Sequence, residues 1–144
     1  NCCPMATGSN DIDVTQVVSF WMTEAEEALQ VAHHLIAKAD YSYALFFGHL
    51  AIEKMLKAAY VFRREQHAPP IHNLLRLASA AELDVDENRA EELTTITAFN
   101  LEARYPDFKR AFRQVCTPEY TAKQMGIIEE LMQWARSQLP SSKA

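Results

Sequence analysis

Apolar residues in this chain recur in steps of three and four along most of its length. No segment alternates with the period of two that a half-buried strand requires. From Asp13 onward, Val14, Val18, Trp21, Ala25, Ala28, Ala32, Leu35 and Ala39 form one seam along a long first helix, with small residues that let a neighbour approach closely. Asp40 reads as the break and cap. A second helix from about Tyr41 to Gln66 carries Ala44, Gly48, Ala51, Ile52, Met55, Ala58, Ala59 and Phe62 over more than a third of its circumference. Glu53, Lys57 and Arg64 lie opposite. So wide an apolar face predicts burial against two or more neighbours, and hence the central helix.

Pro69-Pro70 ends the second helix. A short third one over 72–81 carries Leu74, Leu75, Leu77 and Ala78. Asp86 caps a fourth that runs to about Ala103, with Leu93, Ile96, Phe99 and Ala103 as its stripe. Arg104-Tyr105-Pro106 then interrupts the pattern, and 104–117 reads as an irregular segment from which Phe108, Phe112 and Val115 dock on the bundle. Thr117-Pro118 starts the last helix, with Met125, Ile128, Met132, Ala135 and Leu139 inward. The expected fold is all-α, an antiparallel up-and-down bundle of four long helices plus one short helix.

At 144 residues the chain suits one domain, expected over 13–140 between a leader (1–12) and a tail (141–144). The leader, which begins Asn1-Cys2-Cys3-Pro4-Met5, reads as disordered or as residues foreign to the natural chain, with Met5 a candidate start. It has no basic, continuously apolar character, so it does not read as a secretory signal. Only three glycines are present, too few for a many-turned β sandwich. No apolar run approaches the ~18 residues of a membrane span. Three cysteines without metal spacing read as free thiols in a reducing cytoplasm. A net charge of −5 argues against coating nucleic acid with the whole surface, while leaving room for a local basic patch.

Phosphate-loop, dinucleotide and nucleophile-elbow motifs are absent, and so are the Glu-x-x-His pairs of di-iron bundles. The adjacent His33 and His34 point about 100° apart on a helix and do not suit a shared metal. The expectation is no metal and no cofactor. Two places stand out. Glu53 and Lys57 are one turn apart in the favourable orientation, with Lys54 beside them and His49 one turn earlier. Spacing alone favours a solvated pair worth a few tenths of a kcal/mol. The same polar line would equally serve as a contact between subunits. The second place is Arg104-Tyr105-Pro106-Asp107-Phe108-Lys109-Arg110-Ala111-Phe112-Arg113, a local charge of +3 interleaved with rings. Cations for phosphate and flat rings for bases are what a nucleotide site needs. The alternative is a loop with snorkelling arginines and inward aromatics.

Three blocks, in this order and with these gaps, resemble the HEPN domain family. They are Phe46-Phe47-Gly48-His49-Leu50-Ala51-Ile52-Glu53-Lys54-Met55-Leu56-Lys57-Ala58, then Ile71-His72-Asn73-Leu74, then Ala103-Arg104-Tyr105-Pro106-Asp107. The resemblance spans roughly Val17 to Leu139. It implies an up-and-down helical bundle that dimerises, of the small prokaryotic type paired with a minimal nucleotidyltransferase, often as a toxin–antitoxin module. In active members it implies a metal-independent ribonuclease at the dimer cleft, whose signature is an Arg followed after four to six residues by His. None of the five histidines follows Arg104 here, so that signature is missing and enzymatic activity stays open.

The leading expectation is therefore a cytoplasmic, homodimeric nucleotide- or RNA-binding or partner-binding protein. Arg104, Tyr105, Asp107, Lys109 and Arg110 form its anion-binding rim, and the Glu53, Lys54 and Lys57 cluster faces that rim or the dimer seam. The second is a ribonuclease using Arg104 with His72 or His49, and the third a purely structural helical adaptor.

Overall fold

A computed structural model describes residues 12–140, all of whose regular elements are helices. They are α1 (Val14–Ala37), α2 (Tyr41–Arg64), α3 (Leu74–Ala80), α4 (Glu87–Glu102), α5 (Pro106–Val115) and α6 (Pro118–Ser137). The expectations about Cys2, Cys3, most of the leader and the tail fall outside the described residues.

The starts of the helices follow their capping residues. Asp13 accepts from the Gln16 amide, Asn73 from Arg76, Asp86 from Arg89 and Thr117 from Tyr120. The innermost helix is α2, which packs against each of the other five. Ala44, Ala51, Ile52, Met55, Ala58 and Ala59 are fully buried along it, as the width of its apolar face predicts. Small residues set the spacing: Ala25, Ala28 and Ala32 of α1 are buried, and Gly48 of α2 faces Ile128 of α6. A Cβ on Gly48 would stand 2.5 Å from the Ile128 Cδ1, closer than packed carbons approach.

Four expectations are corrected. The irregular segment over 104–117 contains α5, a sixth helix. Pro106 does not break structure there; it occupies the first turn, where its missing N–H costs nothing. Phe108, Phe112 and Val115 then fall on one face in steps of four and three, and of these only Phe112 is buried. Ala39 is not part of the α1 seam: the helix ends at Ala37, and Ala39 takes a left-handed φ of 62° as the amide of Asp40 turns back to the Leu35 carbonyl. Phe62 is exposed near the end of α2, which closes at Arg64 with Glu65 left-handed. Finally, Glu53 and Lys57 do not lie on a solvated side of α2; both are buried.

Candidate functional site

Steps of three and four along α2 place Tyr43, Phe46, His49, Glu53 and Lys57 on one stripe. Its inner end is a buried polar cluster. Glu53 is 5% exposed and Lys57 8%. The Lys57 ammonium donates to Glu53 Oε2 at 3.0 Å and lies 5.3 Å from the centre of the Trp21 ring of α1. Burial turns an i,i+4 pair that would be nearly neutral in water into one whose partners depend on each other. Lys54 diverges from this cluster and pairs with Glu24 of α1 at 3.1 Å.

The segment between α2 and α3 closes over the same carboxylate. His72 Nδ1 lies 3.2 Å from both Glu53 oxygens, and its imidazole remains 63% exposed. Its backbone is fixed from three sides. His49 Nε2 donates to the His72 carbonyl at 3.1 Å, Asn73 caps α3, and the Leu74 amide donates to the Thr97 hydroxyl of α4. His49 is fully buried. Its Nε2–H is committed to a carbonyl, so in the neutral ring Nδ1 is the acceptor, and that atom has no partner among the described residues. Burial pulls the His49 pKa below its ordinary value, opposed by the His72 carbonyl and the Glu53 charge.

Toward the other end of the stripe come the cations of the α4–α5 corner. Arg104 lies 5.1 Å from the Phe46 ring centre and 5.2 Å from that of Tyr105. Its Nε donates to the Asn100 carbonyl at 2.9 Å, and among the described residues neither Glu53 nor Asp107 forms an ion pair with it. Lys109 and Arg113, one turn apart on α5, lie 5.4 and 5.9 Å from the Tyr43 ring centre. Lys109, with help from Arg113, holds the Tyr43 hydroxyl below its usual pKa. Lys109, Arg110 and Arg113 line a pocket of about 270 Å³ with Pro106. Asp107 is exposed in the first turn of α5, where an acid suits the helix dipole.

Arg104 and Lys109 of the expected rim lie against two neighbouring rings of α2, Phe46 and Tyr43. Arg104 packs against both the Phe46 and the Tyr105 ring, while Lys109, Arg110 and Arg113 line the small pocket with Pro106. His49 and His72 meet at Glu53. Sequence reasoning missed Tyr43, Phe46 and Trp21 as partners of the cations. The spacing of Tyr43 and Phe46 ahead of His49 was the available signal. Among the described residues, no group of three or more His, Cys, Asp or Glu is placed to hold a metal ion, and no helix is long and apolar enough to cross a membrane.

Residues 18–138 match the HEPN domain family. No curated protein matches the chain. Among solved structures, the crystal structure of TT1696 from Thermus thermophilus is similar in fold. It has a TM-score of 0.74 and 22% identity, over 85% of this chain and 98% of that one.

Proposed function

Because this chain belongs to the HEPN domain family, we propose that it is a cytoplasmic, dimeric nucleotide- or RNA-binding member. In this reading it works with a minimal nucleotidyltransferase partner in a toxin–antitoxin-like module. One observation carries the ligand class: Arg104, Lys109, Arg110 and Arg113 form no salt bridge among the described residues, in a chain with 19 acidic side chains. Arginines and a lysine left without carboxylates, set against Phe46, Tyr105 and Tyr43, suit phosphates beside flat bases. A titration of fluorescent RNA against wild type and Arg104→Ala tests this reading. Loss of affinity in the variant, and a fall in affinity as salt rises, are expected. Copurification with a small nucleotidyltransferase encoded beside it tests the partner, and light scattering tests the dimer.

A second reading, ribonuclease activity, is favoured by His72. An exposed imidazole whose Nδ1–H is anchored on a buried carboxylate presents Nε2 outward as a proton acceptor. His49 is unsuited to that role, being fully buried with its Nε2–H committed. Metal-free RNA cleavage that disappears in His72→Ala would establish this reading; its absence in wild type would leave the binding role alone.

A further inference from the structure

His72 is unlike the other four histidines. His33 turns its Nε2 to Glu129, 2.8 Å away. His49 is fully buried, with its Nε2–H on the His72 carbonyl. His34 and His67 are exposed and have no carboxylate partner among the described residues. Only His72 has one ring nitrogen anchored and the other in water. Its Nδ1 lies 3.2 Å from both Glu53 oxygens, and its side chain is 63% exposed. Glu53 is itself buried and fixed by Lys57, so the packing of α2 sets where the carboxylate stands. A carboxylate accepts and does not donate, which puts the ring proton on Nδ1 and leaves the lone pair on Nε2.

A lone pair held this way is a nucleophile as well as a proton acceptor. Attack by Nε2 builds positive charge on the ring, and the Glu53 carboxylate at Nδ1 is already in place to stabilise it. A cation stands nearby for an anionic product: Arg104 covers the Phe46 ring, one turn of α2 from His49, and His49 holds the His72 carbonyl. We infer that His72 is a phosphoryl acceptor, whose Nε2 attacks the phosphorus of an acyl phosphate. A P–N bond forms as the P–O bond to the carboxylate leaving group breaks, and the electron pair departs with that carboxylate. Nothing is oxidised or reduced, and the Nδ1 proton stays in its bond to Glu53. The new dianion lies on the side of the ring away from Glu53, which acts as a positioning residue. This goes beyond the ribonuclease reading, in which the same nitrogen only takes a proton. Phosphorylated Nε2 has no lone pair for that role.

The test incubates the full chain with acetyl phosphate, counts phosphoryl groups by intact mass, and locates them by peptide fragmentation at alkaline pH, where the P–N bond survives. One phosphoryl group per chain is expected, on His72, lost on acid treatment and absent from His72→Asn. Labelling at His72 should exceed that at His34 and at His67 by about tenfold, the scale of one charge-assisted hydrogen bond. That ratio is read within one protein, so a general loss of structure does not imitate the effect. It should collapse in Glu53→Gln carried together with Lys57→Met, a pair of changes that strands no charge. An unlabelled wild type, label spread evenly over the exposed histidines, undiminished label in His72→Asn, or an unchanged ratio in the double variant would overturn the proposal. RNA cleavage by the unlabelled protein is measured beside it. Cleavage without labelling overturns this inference and leaves the ribonuclease reading standing, and labelling without cleavage does the reverse.

Discussion

Lys57 Nζ stands 3.0 Å from Glu53 Oε2 inside the bundle, with the Trp21 ring against the ammonium. Glu53 also receives His72, so one carboxylate joins α2, the α2–α3 segment and, through Lys57, α1. Removing one member of a buried pair strands the other. Glu53→Ala is therefore expected to cost about 3–5 kcal/mol of stability, measured by denaturant unfolding. Glu53→Met with Lys57→Met should recover much of that loss, because no unpaired charge then remains. A single-variant cost of a few tenths would mean the pair is solvated in practice.

His49 gives the chain an acid-sensitive element. Burial, the largest cause, lowers its folded pKa below the ordinary 6.5. The unfolded chain therefore takes up this proton at a higher pH than the folded one. The stability it supports is complete above about pH 6.5 and is lost as pH falls toward the folded value. Melting curves from about pH 8 down to about pH 5 should show His49→Gln less stable at the upper end but losing less on acidification. Parallel profiles for the variant and wild type would contradict this.

Ala39 holds a φ of 62° where α1 turns into α2. A left-handed conformation costs a residue with a Cβ about 1–2 kcal/mol, while glycine adopts it freely at the cost of more entropy in the unfolded chain. Ala39→Gly is expected to raise stability by about 0.5–1 kcal/mol, seen as a higher melting temperature. A lower one would show that the turn is not left-handed in solution.

Much of the scaffold was legible because helical period and capping act locally. Asp86 and Thr117 sit where side-chain caps form, Asp40 stands at the start of α2 without a side-chain capping bond, and the Leu93, Ile96 and Phe99 stripe is buried as expected. What failed were features set by tertiary context. Pro106 looks the same in sequence whether it stops a helix or opens one, so α5 went unseen. Glu53 and Lys57 are polar by composition, and only the docking of α1 and the His72 segment decides that they are inside. The cations share one sequence run, and only the docking of α2 decides which of its rings each one meets: Phe46 for Arg104, Tyr43 for Lys109 and Arg113.

Gly48 and Ile128 set how closely α2 and α6 approach. Gly48→Ala gains helix propensity of about 1 kcal/mol but forces the Ile128 Cδ1 to move within a packed core, at about 1–3 kcal/mol. A net loss of up to about 2 kcal/mol is expected. Adding Ile128→Val removes the clashing methyl, so the double variant should be more stable than the sum of the single changes allows. Strict additivity in the cycle would show that the two side chains do not meet.

The central claim is that Arg104 is held ready for an anion. Its hydrogen bonds run to Asn100 of its own helix, and its packing is against two rings. The decisive measurement is RNA affinity and thermal stability together on Arg104→Ala. Binding is expected to weaken by about 1–3 kcal/mol, the range for losing a charge-assisted contact. Stability should fall by no more than about 1 kcal/mol, the scale of an exposed cation–ring contact. Unchanged affinity, or a melting temperature lowered by many degrees, would make Arg104 a structural residue and contradict the account.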